Sequence, residues 1–349
     1  MLFLFPTSKI LGPVAVATDG LRQIADCANR QDRGNRRRDG CKPADDETAT
    51  ARGGRVFPFS ARTPEDGTLR QLIVTADDFG LAPELNEAVE IAHSDGILTA
   101  ASLMVGGAAF DDAVSRAQRL PTLHVGLHVV LVDGTPVLPA KQVPDLVDTA
   151  GRFRNDLLRL GAGIFMVPRM RHQVAAEVGA QFERYAASGL AFDHIDAHRH
   201  FHLHPTICDI IRRIGQRYGV KSLRVPLEPT DVLAQVEFGT IGLEARLAGK
   251  FAAWTARRLR RRGFLMADQV FGLAWSGAMT AKRVERLMAR LPDGVSEIYF
   301  HPATSNRFEG AAGGYLYTEE LAALIDPDVR AAVRNQNLRL TSYSELAGS

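Results

Sequence analysis

The chain has 349 residues, 46% of them hydrophobic and 23% charged, enough to bury one large α/β core or two modest ones and too apolar for wholesale disorder. With 42 Lys and Arg against 40 Asp and Glu, the net charge of +2 gives no global argument for nucleic acid or an acidic partner. Cys27, Cys41 and Cys208 are too few and too scattered for a disulfide framework or a thiolate zinc site, which fits a reducing, cytoplasmic setting.

The first 17 residues are fairly apolar and end in Ala15-Val16-Ala17. They lack a basic leader, and Pro6 and Lys9 interrupt them, so they do not read as a secretory signal. Residues 29–56 are charged and Gly-rich with almost no aliphatic content, so residues 1–68 read as a flexible extension and 69–349 as the catalytic domain. From Leu69 onward short apolar runs alternate with amphipathic helical patterns, the signature of repeated βα units. Strands are expected at 72–75, 101–105, 124–131, 193–197, 222–225, 269–273 and 297–300, with 338–341 as an eighth. Helices are expected at 83–94, with Pro83 early in the first turn, and at 280–290, with Thr280 as N-cap. Seven or eight parallel strands imply a single barrel-like (β/α) domain, and the polar clusters that follow several strands mark its catalytic mouth.

Four clusters carry the chemistry. Thr75-Ala76-Asp77-Asp78-Phe79-Gly80 ends an apolar run with two carboxylates, which can divide into a cation holder and a base; the competing reading is a helix N-cap with a solvated neighbour. His124-Val125-Gly126-Leu127-His128 delivers His128 near a strand end, where a histidine alone is more often a hydrogen-bonded core residue than a ligand. From His194 to His204 polar groups recur at every second position, as on one face of a strand. Two such neighbours can clasp one ion but five cannot, so spacing leaves Asp196, His198 and His200 as alternatives, with Asp196 suited to orienting an imidazole. His202 and His204 read as hydrogen-bonded or solvated. Glu297-Ile298-Tyr299-Phe300-His301-Pro302 brings a last histidine to a strand end, where the imidazole's ordinary near-neutral pKa suits protonation of a leaving amine; the competing reading is a structural hydrogen bond to the loop that follows. Arg224, at another strand end, can hold a carboxylate ionised or stand as an ordinary surface arginine.

Taken in order, TADDFG, GLH, HIDAHRHFH and EIYFHP resemble the YdjC-like carbohydrate deacetylases, the family of the chitooligosaccharide deacetylase ChbG and the hopanoid-associated HpnK. The match runs from about Leu72 to the end; Ala197 and Ala303 stand where the family commonly has a small residue, often Ser, and Gly. The resemblance implies a distorted TIM-like barrel, Asp78, His128 and His198 as ligands of one divalent metal ion (Mg or Zn), Asp77 as base and His301 as general acid. Asp196, His200 and Arg224 then support the ligands or meet the substrate. EIYFHPA and FGLAWSG are most similar to the hopanoid branch, implying an N-acetylglucosaminyl hopanoid among N-acetylated amino-sugar substrates, and no nucleic-acid partner.

Residues 243–262 place Leu243, Leu247, Phe251 and Trp254 at helical spacing ahead of five arginines. Such a helix can lie on the inner face of an anionic membrane, or pack on the barrel with a solvated basic face. Two other functions compete: a metal-free glycoside hydrolase built on Asp77 and a second carboxylate, and a binding barrel without turnover.

Overall fold

The structure, a computed structural model, describes residues 70–237 and 243–348. The extension expected over 1–68 lies outside the described residues. Seven strands, β1 (Arg70–Phe79), β2 (Ala100–Leu103), β3 (His124–Val129), β4 (Ile195–Ala197), β5 (Gln269–Phe271), β6 (Val295–Phe300) and β7 (Leu338–Leu340), form one sheet in the order β4-β3-β2-β1-β6-β5. Every strand pair is parallel. β1 lies centrally: β6 covers one edge, while β7 pairs with Arg70–Leu72 and β2 takes over from Thr75. Its run of Leu72, Ile73 and Val74 is wholly buried, as a strand covered on both faces requires.

The strand expected at 222–225 is reduced to isolated bridges, Ile195 with Leu223 and Ser222 with Leu265. These still carry the sheet onward. Arg224 N–H donates to Ile195 O at 2.9 Å, and Val270 N–H of β5 to Leu227 O at 2.9 Å, so residues 222–227 span the gap between β4 and β5. The result is a distorted parallel α/β barrel, open where 222–227 lacks a regular ladder.

Helices α1 (Pro83–Asp95), α2 (Phe110–Arg119), α3 (Leu157–Met166), α4 (Pro168–Ala187), α5 (Pro205–Arg217), α6 (Thr230–Val236), α7 (Leu243–Arg260), α8 (Ala281–Met288), α9 (Tyr317–Ile325), α10 (Pro327–Asn335) and α11 (Tyr343–Gly348) surround the sheet. Pro83 begins α1, where its missing N–H is no loss. Thr280 holds the N-cap position of α8, but its side chain makes no capping bond. On α7, Ala252, Ala256 and Leu259 are buried. Of its following arginines, Arg258 and Arg262 reach Asp209 and Arg260 reaches Asp268, so much of that basic face is neutralised locally. The side chains of Leu243 and Leu247 lie outside the described residues.

Inside the barrel, His194 Nδ1 lies 2.8 Å from Asp193 Oδ2 and its Nε2 2.9 Å from Ser102 Oγ. The order resembles a hydrolytic triad. Ser102 and His194 are both 0% exposed, however, so no substrate reaches them and the group is a core network. Gly126 of the GLH motif makes room for it: a Cβ there would stand 2.5 Å from the His194 ring.

Candidate active site

Adjacent residues of a regular strand face opposite sides. Asp77 and Asp78 escape this because the β1–β2 register shifts between Ala76 and Phe79, and Asp78 adopts a left-handed φ of 62°. Gly80, at φ 92°, completes the turn where a Cβ would lie 3.0 Å from Met104 O. Its N–H is anchored on Asn86 Oδ1 at 2.8 Å.

Sheet register brings His128 beside Asp196. His128 Nδ1 lies 2.8 Å from Asp196 Oδ1, and its Nε2 lies 3.3 Å from Asp78 Oδ1. His198, just past β4, sets its Nδ1 3.0 Å from that same Asp78 oxygen. The ligand atoms of Asp78, His128 and His198 all fall within 4.8 Å of one another. Two donors each about 2.1 Å from a tetrahedral ion stand about 3.4 Å apart, so these contacts suit a single cation. Asp196 accepting from Nδ1–H fixes the tautomer that leaves Nε2 free to ligate. Asp77, His128 and Asp196 form a second close trio. There both carboxylates already meet Arg224, at 2.7 and 2.6 Å, so a cation would face a fixed positive charge.

Arg224 is 0% exposed and organises the site floor. Its Nη1 donates to Asp77 Oδ1 and Oδ2 at 2.8 and 2.7 Å, and its Nε donates to Glu297 Oε1 at 2.9 Å. Glu297 also accepts from Thr75 Oγ1 at 2.7 Å and from the Tyr343 hydroxyl at 2.5 Å. Three buried carboxylates share one guanidinium, so proton affinity around it is uneven. Burial pushes Asp77 above the ordinary carboxylate range against the pull of Arg224. Burial also acts on Asp78, but the His198 charge and hydrogen bonds from both histidines outweigh it and hold Asp78 well below that range. For His128, burial opposes the charged ring, yet the Asp196 carboxylate prevails and raises it to about 10.

His301 follows directly on β6, 8% exposed, with its N–H donating to Glu320 Oε2 at 2.5 Å. Its ring stands edge-on to Tyr299 and Tyr315, at centroid distances of 5.8 and 5.2 Å, and its buried Nδ1 has no hydrogen-bond partner among the described residues.

The alternating strand face expected over 194–204 is not what forms. The strand stops at Ala197, and His198–Leu203 coils into tight turns with left-handed φ at Arg199 (56°) and His200 (52°). The coil sends each histidine to a different place. His198 goes to Asp78, His200 Nε2 to the Tyr299 hydroxyl at 3.0 Å, His202 Nε2 to Arg224 O at 2.8 Å and His204 Nε2 to Gly161 O at 3.1 Å. His200 therefore touches Tyr299 rather than the ligand trio, and Tyr299 lies under the Arg224 guanidinium at 5.0 Å. His202 and His204 are buried and hydrogen-bonded, not solvated. The sequence reading missed Glu297, Tyr299, Glu320, Tyr343 and Tyr315. Polar residues at 297, 299 and 301 alternating through an apolar strand were the available signal for two of them.

The profile of the family described as YdjC-like protein matches residues 71–335. A carbohydrate deacetylase from Brevibacillus brevis is 33% identical over 279 residues, covering 79% of this chain and 99% of its own. One from Homo sapiens is 31% identical over 306 residues, covering 79% of this chain and 91% of its own. A crystal structure from Enterococcus faecalis, described as a candidate cellobiose-phosphate cleavage protein, superposes with a TM-score of 0.63 over 80% of this chain and 99% of that one, at 24% identity, and shows the shared fold.

Proposed function

The chain belongs to the YdjC-like family, and on that premise we propose that it is a metal-dependent carbohydrate deacetylase, hydrolysing the N-acetyl group of an amino sugar. The observation that carries this reading is the convergence of Asp78, His128 and His198 beside an Arg224-held Asp77. Asp78, His128 and His198 would hold one divalent ion, and two imidazoles with one carboxylate suit zinc better than magnesium. Bound there, the ion supplies Lewis-acid polarisation of the acetyl carbonyl.

The protein's own groups account for the proton traffic. An Asp77 oxygen lies within 4.8 Å of a His128 ring nitrogen, so the base borders the ligand trio, and Arg224 fixes both its oxygens. Asp77 takes a proton from the attacking water. As the amide C–N bond breaks, His301 donates a proton to the departing nitrogen, leaving acetate and a free amine. The raised proton affinity of Asp77 favours the first transfer. The metal-free glycosidase reading fits less well, because Asp196 and Glu297, the carboxylates that share Arg224 with Asp77, are both 0% exposed and cannot reach a glycosidic oxygen.

We extend the reading to a lipid-linked sugar, an N-acetylglucosaminyl hopanoid, handled at the inner face of the membrane. Its support is the FGLAWSG segment, which follows β5 beside the acid. Glu228 accepts from the N–H groups of Gly272, Leu273 and Ala274, and Ser276 Oγ meets the Tyr315 hydroxyl at 2.8 Å, next to His301. Among the described residues no helix is long and apolar enough to cross a membrane, so contact would be peripheral. Acetate release from a glycolipid, from N-acetylated chitobiose and from free N-acetylglucosamine tests both levels. Release from none of them defeats the deacetylase reading, and release from the soluble sugars alone defeats the lipid-linked one.

A further inference from the structure

Helix α3 carries apolar residues on two faces. Leu157, Leu160, Gly161 and Ile164 are buried, as on any packed helix. Leu158, Ala162, Phe165 and Met166 follow at i, i+4, i+7 and i+8 on another face, and all four are exposed, Phe165 by 55% and Met166 by 71%, with Val167 adding 42%. Apolar side chains left exposed on a helix beside its buried stripe are candidates for contact with a second apolar phase. The sequence through it leans basic, although Asp148 lies against the backbone of Arg152 and Asp145 against Arg169. Residues 152–172 contain Arg152, Arg154, Arg159, Arg169 and Arg171 against one acid, Asp156, in a chain that is otherwise almost neutral. Arg169 reaches Asp145 and Arg171 closes the end of α3 on Ile164 O and Phe165 O, but Arg152, Arg154 and Arg159 are exposed without side-chain partners among the described residues.

The helix also sits where a membrane contact would matter. It packs on the turn that follows His198: Gly161 O meets His204, and the Phe165 ring lies 6.4 Å from the His204 ring. The patch is therefore on the mouth side of the barrel, whereas the arginines of α7 are engaged by Asp209 and Asp268.

We infer that the exposed face of α3 docks on an anionic lipid bilayer, Phe165, Met166 and Val167 entering the interface while Arg152, Arg154 and Arg159 meet lipid headgroups. An exposed apolar helix end with flanking cations matches a surface-lying element. This deepens the lipid-linked reading of the substrate and rests on it.

The test is co-sedimentation of the full chain with vesicles of phosphatidylcholine alone and with about 30% phosphatidylglycerol, a composition that supplies the anionic surface. Binding is expected to the anionic vesicles and to fall with salt. The double variant Phe165→Ser, Met166→Ser should lose at least about tenfold in binding. Neutralising Arg152, Arg154 and Arg159 to Gln should cost about fivefold each on anionic vesicles only. Acetate release from a soluble N-acetylated sugar should be unchanged in every variant, so loss of docking is distinguishable from loss of the deacetylase site. Absence of binding to both vesicles, undiminished binding by the double variant, or a dimer held together by this patch overturns the inference.

Discussion

Replacing Arg224 with Met is the sharpest probe of how the site floor is held. Arg224 and its partners Asp77, Asp196 and Glu297 are each 5% exposed or less, so the substitution leaves three buried carboxylates without their common cation. Breaking a buried pair by removing one partner costs about 3–5 kcal/mol, because the remaining charge keeps its desolvation penalty. At about 2 °C per kcal/mol for a domain of this size, the melting temperature should fall by about 6–10 °C. The pH dependence gives a second readout. Burial already holds Asp77 above its unfolded value, and losing Arg224 removes the strongest attraction opposing that rise. The folded variant then binds more protons than the unfolded chain, so its stability increases as pH falls and the deficit narrows in acid. Arg224→Lys keeps a charge but loses the planar fork and should lie between the two. Calorimetry at neutral and mildly acid pH decides: a Met variant within about 1 kcal/mol of the native protein, or a deficit that widens in acid, refutes the reasoning.

Because His128 is raised to about 10, its ring is protonated at neutral pH until a metal displaces the proton; metal uptake should release about one proton, and apparent affinity should rise about tenfold per pH unit below that value. Titration calorimetry in buffers of different ionisation enthalpy checks this, and no proton release contradicts it. His301→Gln should preserve the melting temperature and metal content and lower acetate release by about 10²–10⁴, the usual contribution of a positioned acid, as steady-state kinetics will show. At Asp193 burial is outweighed by bonding to His194, which lowers the carboxyl from 3.8 to about 2; this contributes about 2 kcal/mol above its unfolded pKa that is lost as pH falls through about 2. Asp193→Asn should therefore destabilise at neutral pH and converge with the native protein in strong acid, measured by denaturant unfolding.

The parallel barrel was legible because buried strands leave uninterrupted apolar runs and because polar residues gather where those runs end. The run at 222–225 has the same texture, yet it forms only bridges, since what distinguishes a ladder from a bridge is partner geometry across the barrel. Strand-end position marked Asp77, Asp78 and His128 as candidates in the sequence, while spacing alone left His198 open against Asp196 and His200. The way two adjacent carboxylates reach one site was not legible, because it turns on a register shift between Ala76 and Phe79 and on the left-handed backbone of Asp78. Alternation misled over 194–204 for a related reason: it assumes extended backbone, and two left-handed residues after His198 end that assumption. Glu297 and Tyr343 were hidden because their value lies in a contact with Arg224 and with each other across 46 residues of sequence.

In the proposed mechanism the metal-holding groups, Asp78, His128 and His198, are separate from the base, Asp77. Asp77→Asn is nearly isosteric and should keep the metal and the fold, yet the amide cannot accept a proton from water at neutral pH, so acetate release should fall by about 10²–10⁴. Asp78→Asn replaces an anionic ligand with a neutral one and should lose the metal. Metal stoichiometry and acetate release measured together on both purified variants test this directly: a metal-replete, inactive Asp77→Asn beside a metal-poor Asp78→Asn is the expected result, and metal loss from Asp77→Asn with retention in Asp78→Asn, or full turnover in either, contradicts it.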